Sequence, residues 1–130
     1  MNRSGVPLKL PRGVLEHITN PKNAGHIKNP DASAEINGPC GDTMQISLII
    51  RERKIKEIGF ETDGCGITVA CGSVVSELAK GKSIKDVLRI SPADVIDGLK
   101  GIMGGDPHCA ILAVNTLHKA VSNYFIGIKP

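Results

Sequence analysis

The sequence predicts an α+β fold with helices packed on one face of a small antiparallel sheet. Two observations predict it. Residues between Thr43 and Thr62 carry apolar side chains at a two-residue period, and a run of stretches after Gly66 repeats at helical spacing. Strands and helices are thus segregated along the chain, which argues α+β. At 130 residues and 41% hydrophobic content, one modest aliphatic core is within reach.

Residues 1–10 are expected as a flexible N-terminal arm and 11–130 as a single domain. Pro11 to Thr19 predicts a short helix with Val14, Leu15 and Ile18 on one face, stopped by Asn20-Pro21. Asn23-Ala24-Gly25-His26 and Asn29-Pro30-Asp31 are turn chemistry, so this region is expected as loop, either covering a site or mobile. An edge strand is expected around Ala32 to Asn37, which brings the sheet to three strands.

Met44, Ile46, Leu48 and Ile50 alternate with Gln45 and Ser47, the period of a half-buried strand. After the charged connection Arg51-Glu52-Arg53-Lys54, Ile58, Phe60 and Thr62 share one side of a second strand, so the two pair as an antiparallel hairpin. Cys40 lies just before the first strand and Cys65 just after the second. Antiparallel pairing brings both thiols to the same edge of the sheet.

A helix is expected from Gly66 to about Lys80, ending at Gly81, with Ala70, Cys71, Val74, Val75 and Leu78 on its buried stripe. Ser83-Ile84-Lys85-Asp86 starts another with a capping-box pattern. Ser91-Pro92-Ala93-Asp94 starts a third, ending near Gly101. In the last helix Asp106 is the expected N-cap and Pro107 the first helical residue, with apolar residues at helical spacing from Ala110 to Val121. His108 and Cys109 then fall in the first turn, where unpaired N–H groups and the helix dipole favour an anionic sulfur.

Composition excludes several functions. Aromatic residues are 2% of the chain, too few to stack nucleic-acid bases, and the net charge of +3 comes from lysines mixed among acids. No nucleic-acid partner is expected. No apolar run approaches the roughly 20 residues that span a bilayer, and the N-terminal residues lack a signal-peptide core. Two prolines there also spoil an amphipathic transit helix. The expected location is the cytoplasm, with no membrane association, where cysteines serve as metal ligands or reactive thiols.

Cys40, Cys65 and Cys109 sit at element ends, and the first two are flanked by glycine or proline. Cys71 lies on an apolar helix face and is expected in the core. A thiolate-rich group suits zinc or an iron–sulfur cluster. A closed zinc site normally uses a Cys-x-x-Cys knuckle, which this chain lacks; its thiols come singly from three elements. The fourth position has two candidates, Asp42 and His108. A carboxylate is a hard ligand, poorly matched to a sulfide-rich centre, so such a socket holds its cargo loosely and suits a carrier. His17, His26 and His118 are expected as solvated or satisfied surface residues.

Asn20-Pro21-Lys22-Asn23-Ala24-Gly25, Pro39-Cys40-Gly41-Asp42, Gly64-Cys65-Gly66 and His108-Cys109 followed by Ile111-Leu112-Ala113 resemble, in order and spacing, the signature series of the IscU/NifU-type iron–sulfur assembly scaffolds. The resemblance spans roughly residues 12–125. It implies a three-stranded antiparallel sheet, with Cys40, Cys65 and Cys109 as cluster ligands and Asp42 and His108 competing for the remaining position. It also implies that Cys109 accepts persulfide sulfur from a cysteine desulfurase. The cargo would be a [2Fe–2S] cluster, or a [4Fe–4S] cluster on dimerisation, passed to apo iron–sulfur acceptor proteins by a monomer or transient dimer; zinc can take the cluster's place.

The chain departs from the bacterial pattern in several places. Gly104-Gly105-Asp106-Pro107 stands where Leu-Pro-Pro-Val-Lys docks a specialised chaperone, so that partnership is not expected. Asp63 replaces an aromatic or small residue and is expected to alter access. Cys71 is outside the shared ligand set, with a spare ligand or sulfur relay as its alternative role. No second cysteine-rich domain is expected. The expected function is therefore a non-catalytic scaffold, with a zinc-binding regulator or partner of the desulfurase as the alternative. A thiol enzyme with Cys109 as nucleophile and His108 as base is disfavoured, because neighbours on a helix point about 100° apart.

Overall fold

The computed structural model describes residues 12–38, 41–99 and 107–127. The expected arm at 1–10, Cys40 and Asp106 lie outside the described residues. The elements in chain order are α1 (Arg12–Thr19), β1 (Ala32–Asn37), β2 (Thr43–Arg51), β3 (Lys54–Thr62), α2 (Gly66–Ala79), α3 (Ile84–Val87), α4 (Pro92–Gly98) and α5 (His108–Phe125). The sheet is antiparallel in the order β1-β2-β3, and the expected edge strand is β1.

Strand alternation builds the inner face. Met44, Ile46, Leu48 and Ile50 are all buried, and the register sets Ala34 and Phe60 on either side of Ile46, and Ala32 and Ile58 on either side of Leu48. A β-bulge at Ile49/Ile50 lets Ile55 and Ile58, three residues apart, both face inward while Lys56 and Glu57 stay outside. Helix α5 lies along β1 and β2, α2 lies along β3, and the two helices pack on each other. Closest approach is at Gly72, where an added Cβ would meet the Phe60 ring at 2.4 Å.

The β3 edge is covered along its length, and the β1 edge at one point. Phe60 donates its N–H to the Asn23 carbonyl and accepts from Gly25, so the segment before β1 covers the upper part of the β3 edge. Gly81, Lys82 and Ile84 bond the backbone of Ile55 and Arg53 lower down. On the β1 side, Asn123 of α5 donates to the Ser33 carbonyl at 2.9 Å. These contacts use up edge groups that would otherwise recruit foreign strands.

Two helix boundaries differ from expectation. Helix α4 stops at Gly98, short of Gly101, because fully buried Leu99 turns away at φ −98° and ψ 7° into the core. Pro107 is the N-cap of α5 and not its first helical residue: its ψ of 10° leaves the helical range, and α5 starts at His108. Ser91 and Asp94 form the full capping box at α4, whereas at Ser83 the hydroxyl accepts from the Asp86 N–H of a single-turn helix.

Candidate functional site

Three segments meet at the open end of the β2–β3 hairpin. The turn after β1 is drawn tight by the Gly38 N–H bond to the Asp42 carbonyl at 2.6 Å, with Gly41 at φ +87°, a conformation that favours glycine. Gly38 rests on Leu112, one turn into α5. Across the hairpin, Asp63 accepts the Thr43 N–H at 2.7 Å and Thr62 donates its hydroxyl to the Thr43 carbonyl at 2.6 Å. Asp63 is thus a clasp that holds Asp42 and Cys65 at neighbouring strand ends.

Cys65 is the N-cap of α2, but its side chain makes no capping bond, so the exposed sulfur is not consumed by the helix end. Cys109, half-buried, is the second residue of α5. Both sulfurs face the same group. The Thr68 hydroxyl donates to Asp42 Oδ2 at 2.9 Å, and its oxygen lies 3.3 Å from Cys109 Sγ and 3.8 Å from Cys65 Sγ. One carboxylate and two thiols from three elements therefore surround a single oxygen. Among the described residues, no three His, Cys, Asp or Glu side chains stand close enough together to hold an ion. The hydroxyl gathers them.

The candidate residues divide accordingly. Asp42, Cys65 and Cys109 are brought together, Cys40 lies outside the described residues, and His108 is exposed beside Cys109. Cys71 is fully buried in the core, as expected. Burial pushes its thiol pKa up, and the nearby Cys109 and Cys65 sulfurs push it further in the same direction. The neutral thiol backs onto the site.

His17 is satisfied rather than solvated, and lies half-buried. Its Nδ1 lies 2.6 Å from Ser73 Oγ and its Nε2 3.8 Å from Glu77, which ties α1 to α2. His118 reaches the Val87 carbonyl at 3.1 Å, and His26 lies 3.9 Å from Glu61. The residue that sequence reasoning missed is Thr68. Its signal was the spacing, three positions after Cys65 and so on the same helix face.

Among the described residues no helix is long and apolar enough to cross a membrane. The NifU-like N terminal domain family matches residues 11–129. An Archaeoglobus fulgidus protein named iron-sulfur cluster assembly scaffold protein IscU 1 is 36% identical over 113 residues, 86% of this chain and 74% of that one. The iron-sulfur cluster assembly scaffold protein IscU of Buchnera aphidicola subsp. Schizaphis graminum is 35% identical over 85% of this chain and 90% of its own. The crystal structure of the N-terminal part of a NifU-like protein from Brucella abortus superposes with a TM-score of 0.73, covering 89% of this chain and 94% of that one; at 17% identity it shares the fold. By its sequence, this chain belongs to the NifU-like N terminal domain family.

Proposed function

We propose that this chain is a scaffold on which an iron–sulfur cluster is assembled from iron and desulfurase-derived sulfur and then passed to apo-proteins. The observation that carries it is the meeting of the Cys65 and Cys109 sulfurs and the Asp42 carboxylate on one hydroxyl, at the open end of the β2–β3 hairpin. The donor set fits the cargo in its chemistry: thiolates are soft ligands for iron and sulfide, and one hard oxygen weakens the grip. Two relatives that carry the scaffold name, each about a third identical, add to this support.

In this proposal Cys40, Cys65 and Cys109 supply thiolates, while Asp42 and His108 compete for the remaining position. Sulfur arrives by thiol exchange. The Cys109 thiolate attacks the outer sulfur of the donor persulfide, the new S–S bond forms as the old one breaks, and the donor cysteine leaves as thiolate. No net oxidation occurs in that step; conversion of the transferred sulfur to sulfide takes two electrons from an external reductant. The protein catalyses no turnover of its own. Its cargo is a [2Fe–2S] cluster, or a [4Fe–4S] cluster when two chains pair, and its setting is the cytoplasm.

Anaerobic reconstitution with ferrous iron and sulfide tests this. The expected result is a visible iron–sulfur spectrum, with Mössbauer and electron paramagnetic resonance signals giving the cluster type. A chain that excludes iron and retains only stoichiometric zinc would overturn it in favour of a zinc-binding regulator of the desulfurase.

A further inference from the structure

Thr68 has no part in the roles assigned above, yet it stands at the centre of the donor set. Its side chain is fully buried, and its hydroxyl contacts Asp42, Cys109 and Cys65 at 2.9, 3.3 and 3.8 Å. A hydroxyl has one hydrogen and two lone pairs. With the hydrogen given to Asp42, a lone pair remains to accept from the Cys109 thiol. One small group thereby joins a carboxylate on the β1–β2 turn to a sulfur on α5.

Two features hold that hydroxyl in place. Threonine is branched at Cβ and stiff about χ1. A side chain at Gly64 is also ruled out by space: an added Cβ would lie 2.6 Å from Thr68 Cβ and 2.7 Å from Oγ1. Gly64 is not among the residues with positive φ, so its missing side chain serves this close approach and no unusual backbone.

We propose that Thr68 is the positioning residue of the site, holding the Asp42 carboxylate and the Cys109 sulfur around a common centre before iron arrives. The inference rests on the scaffold function proposed above. Hydrogen bonds from a surrounding group to a ligating carboxylate orient it without consuming it, because a carboxylate accepts at about four lone-pair sites. Thr68 acts through Asp42 and Cys109 and touches the cargo only by way of them.

Cobalt(II) titration of the reduced 130-residue chain reads this directly, through the sulfur-to-metal charge-transfer absorption. Thr68→Val, nearly equal in shape but without the hydroxyl, is expected to weaken cobalt binding by roughly 10–100-fold. Thr68→Ser keeps the hydroxyl and is expected to bind within about threefold of wild type. Gly64→Ala forces the hydroxyl aside and should match the valine variant, with the double variant no weaker than either single one. Should the valine variant fail to fold, Gly64→Ala set against Thr68→Ser decides the matter. Valine binding as tightly as wild type, or serine as weakly as valine, overturns the proposal. A wild type that binds cobalt but never acquires an iron–sulfur spectrum sinks the scaffold function alone; one that binds no cobalt sinks both.

Discussion

Cys109 and Cys71 are both cysteines within reach of one another's charge, and they sit in different surroundings. Cys109 sits in the first turn of α5, half-buried and against the Thr68 hydroxyl. Cys109→Ser should abolish sulfur transfer from a desulfurase persulfide and leave the fold intact; mass spectrometry finding undiminished sulfur loading of that variant would refute the role. Cys71 is enclosed by core side chains, and its thiol is held protonated well above its ordinary pKa of 9.0. The unfolded chain ionises this thiol near that ordinary value, while the folded chain resists. Stability linked to Cys71 is therefore complete below about pH 9 and is lost as pH climbs above it, by at most ~1.4 kcal/mol per pH unit. Urea unfolding at about pH 8 and about pH 10 should show a steeper loss for wild type than for Cys71→Ala. Parallel losses would mean the thiol titrates alike in both states.

The β2–β3 hairpin carries the clearest conflict between local preference and final geometry. Its tip is Glu52-Arg53, with φ of +53° and +63°, a two-residue turn of the kind that normally uses Asn-Gly. Nothing in Arg51-Glu52-Arg53-Lys54 announces it. The turn persists because neighbours hold it: Ile84 donates to the Arg53 carbonyl at 2.9 Å and Lys54 bridges to Ser83. Replacing the pair by Asn-Gly should stabilise the protein by about 1 kcal/mol, seen as a higher urea midpoint with an unchanged slope. A lower midpoint would show that the two charged side chains contribute more than the strain costs. The alternation of β2 and the Ser91-Pro92-Ala93-Asp94 cap were readable because each depends on residues close in sequence. The bulge that spares Lys56 and Glu57 was not, since it answers to the partner strand.

At the scale of the molecule, the site draws on a turn of the sheet and the starts of two helices, so occupying it should brace the whole fold. Zinc, used as a probe at about 100 times its dissociation constant, is expected to raise unfolding stability by up to about 2.7 kcal/mol. Chelation should reverse the gain, and Cys65→Ser should lose most of it. Equal unfolding curves with and without the metal would show that no ligand set assembles on the native chain.

The α+β class, the three strands, the placing of Cys71 in the core and the return of the chain from the start of β2 to the start of α2 all follow from short-range patterns: apolar periodicity, caps, and the antiparallel pairing of a hairpin. Local chemistry of that sort is written residue by residue. What only the folded chain decided is how α5 comes down against α2, which puts Cys109 and Cys65 beside one buried threonine. The separation of 41 residues between Thr68 and Cys109 leaves no periodic trace. Their meeting is a result of packing α2 and α5 side by side over the same sheet, with Gly72 and Gly64 leaving the room in which aromatic ring and hydroxyl fit.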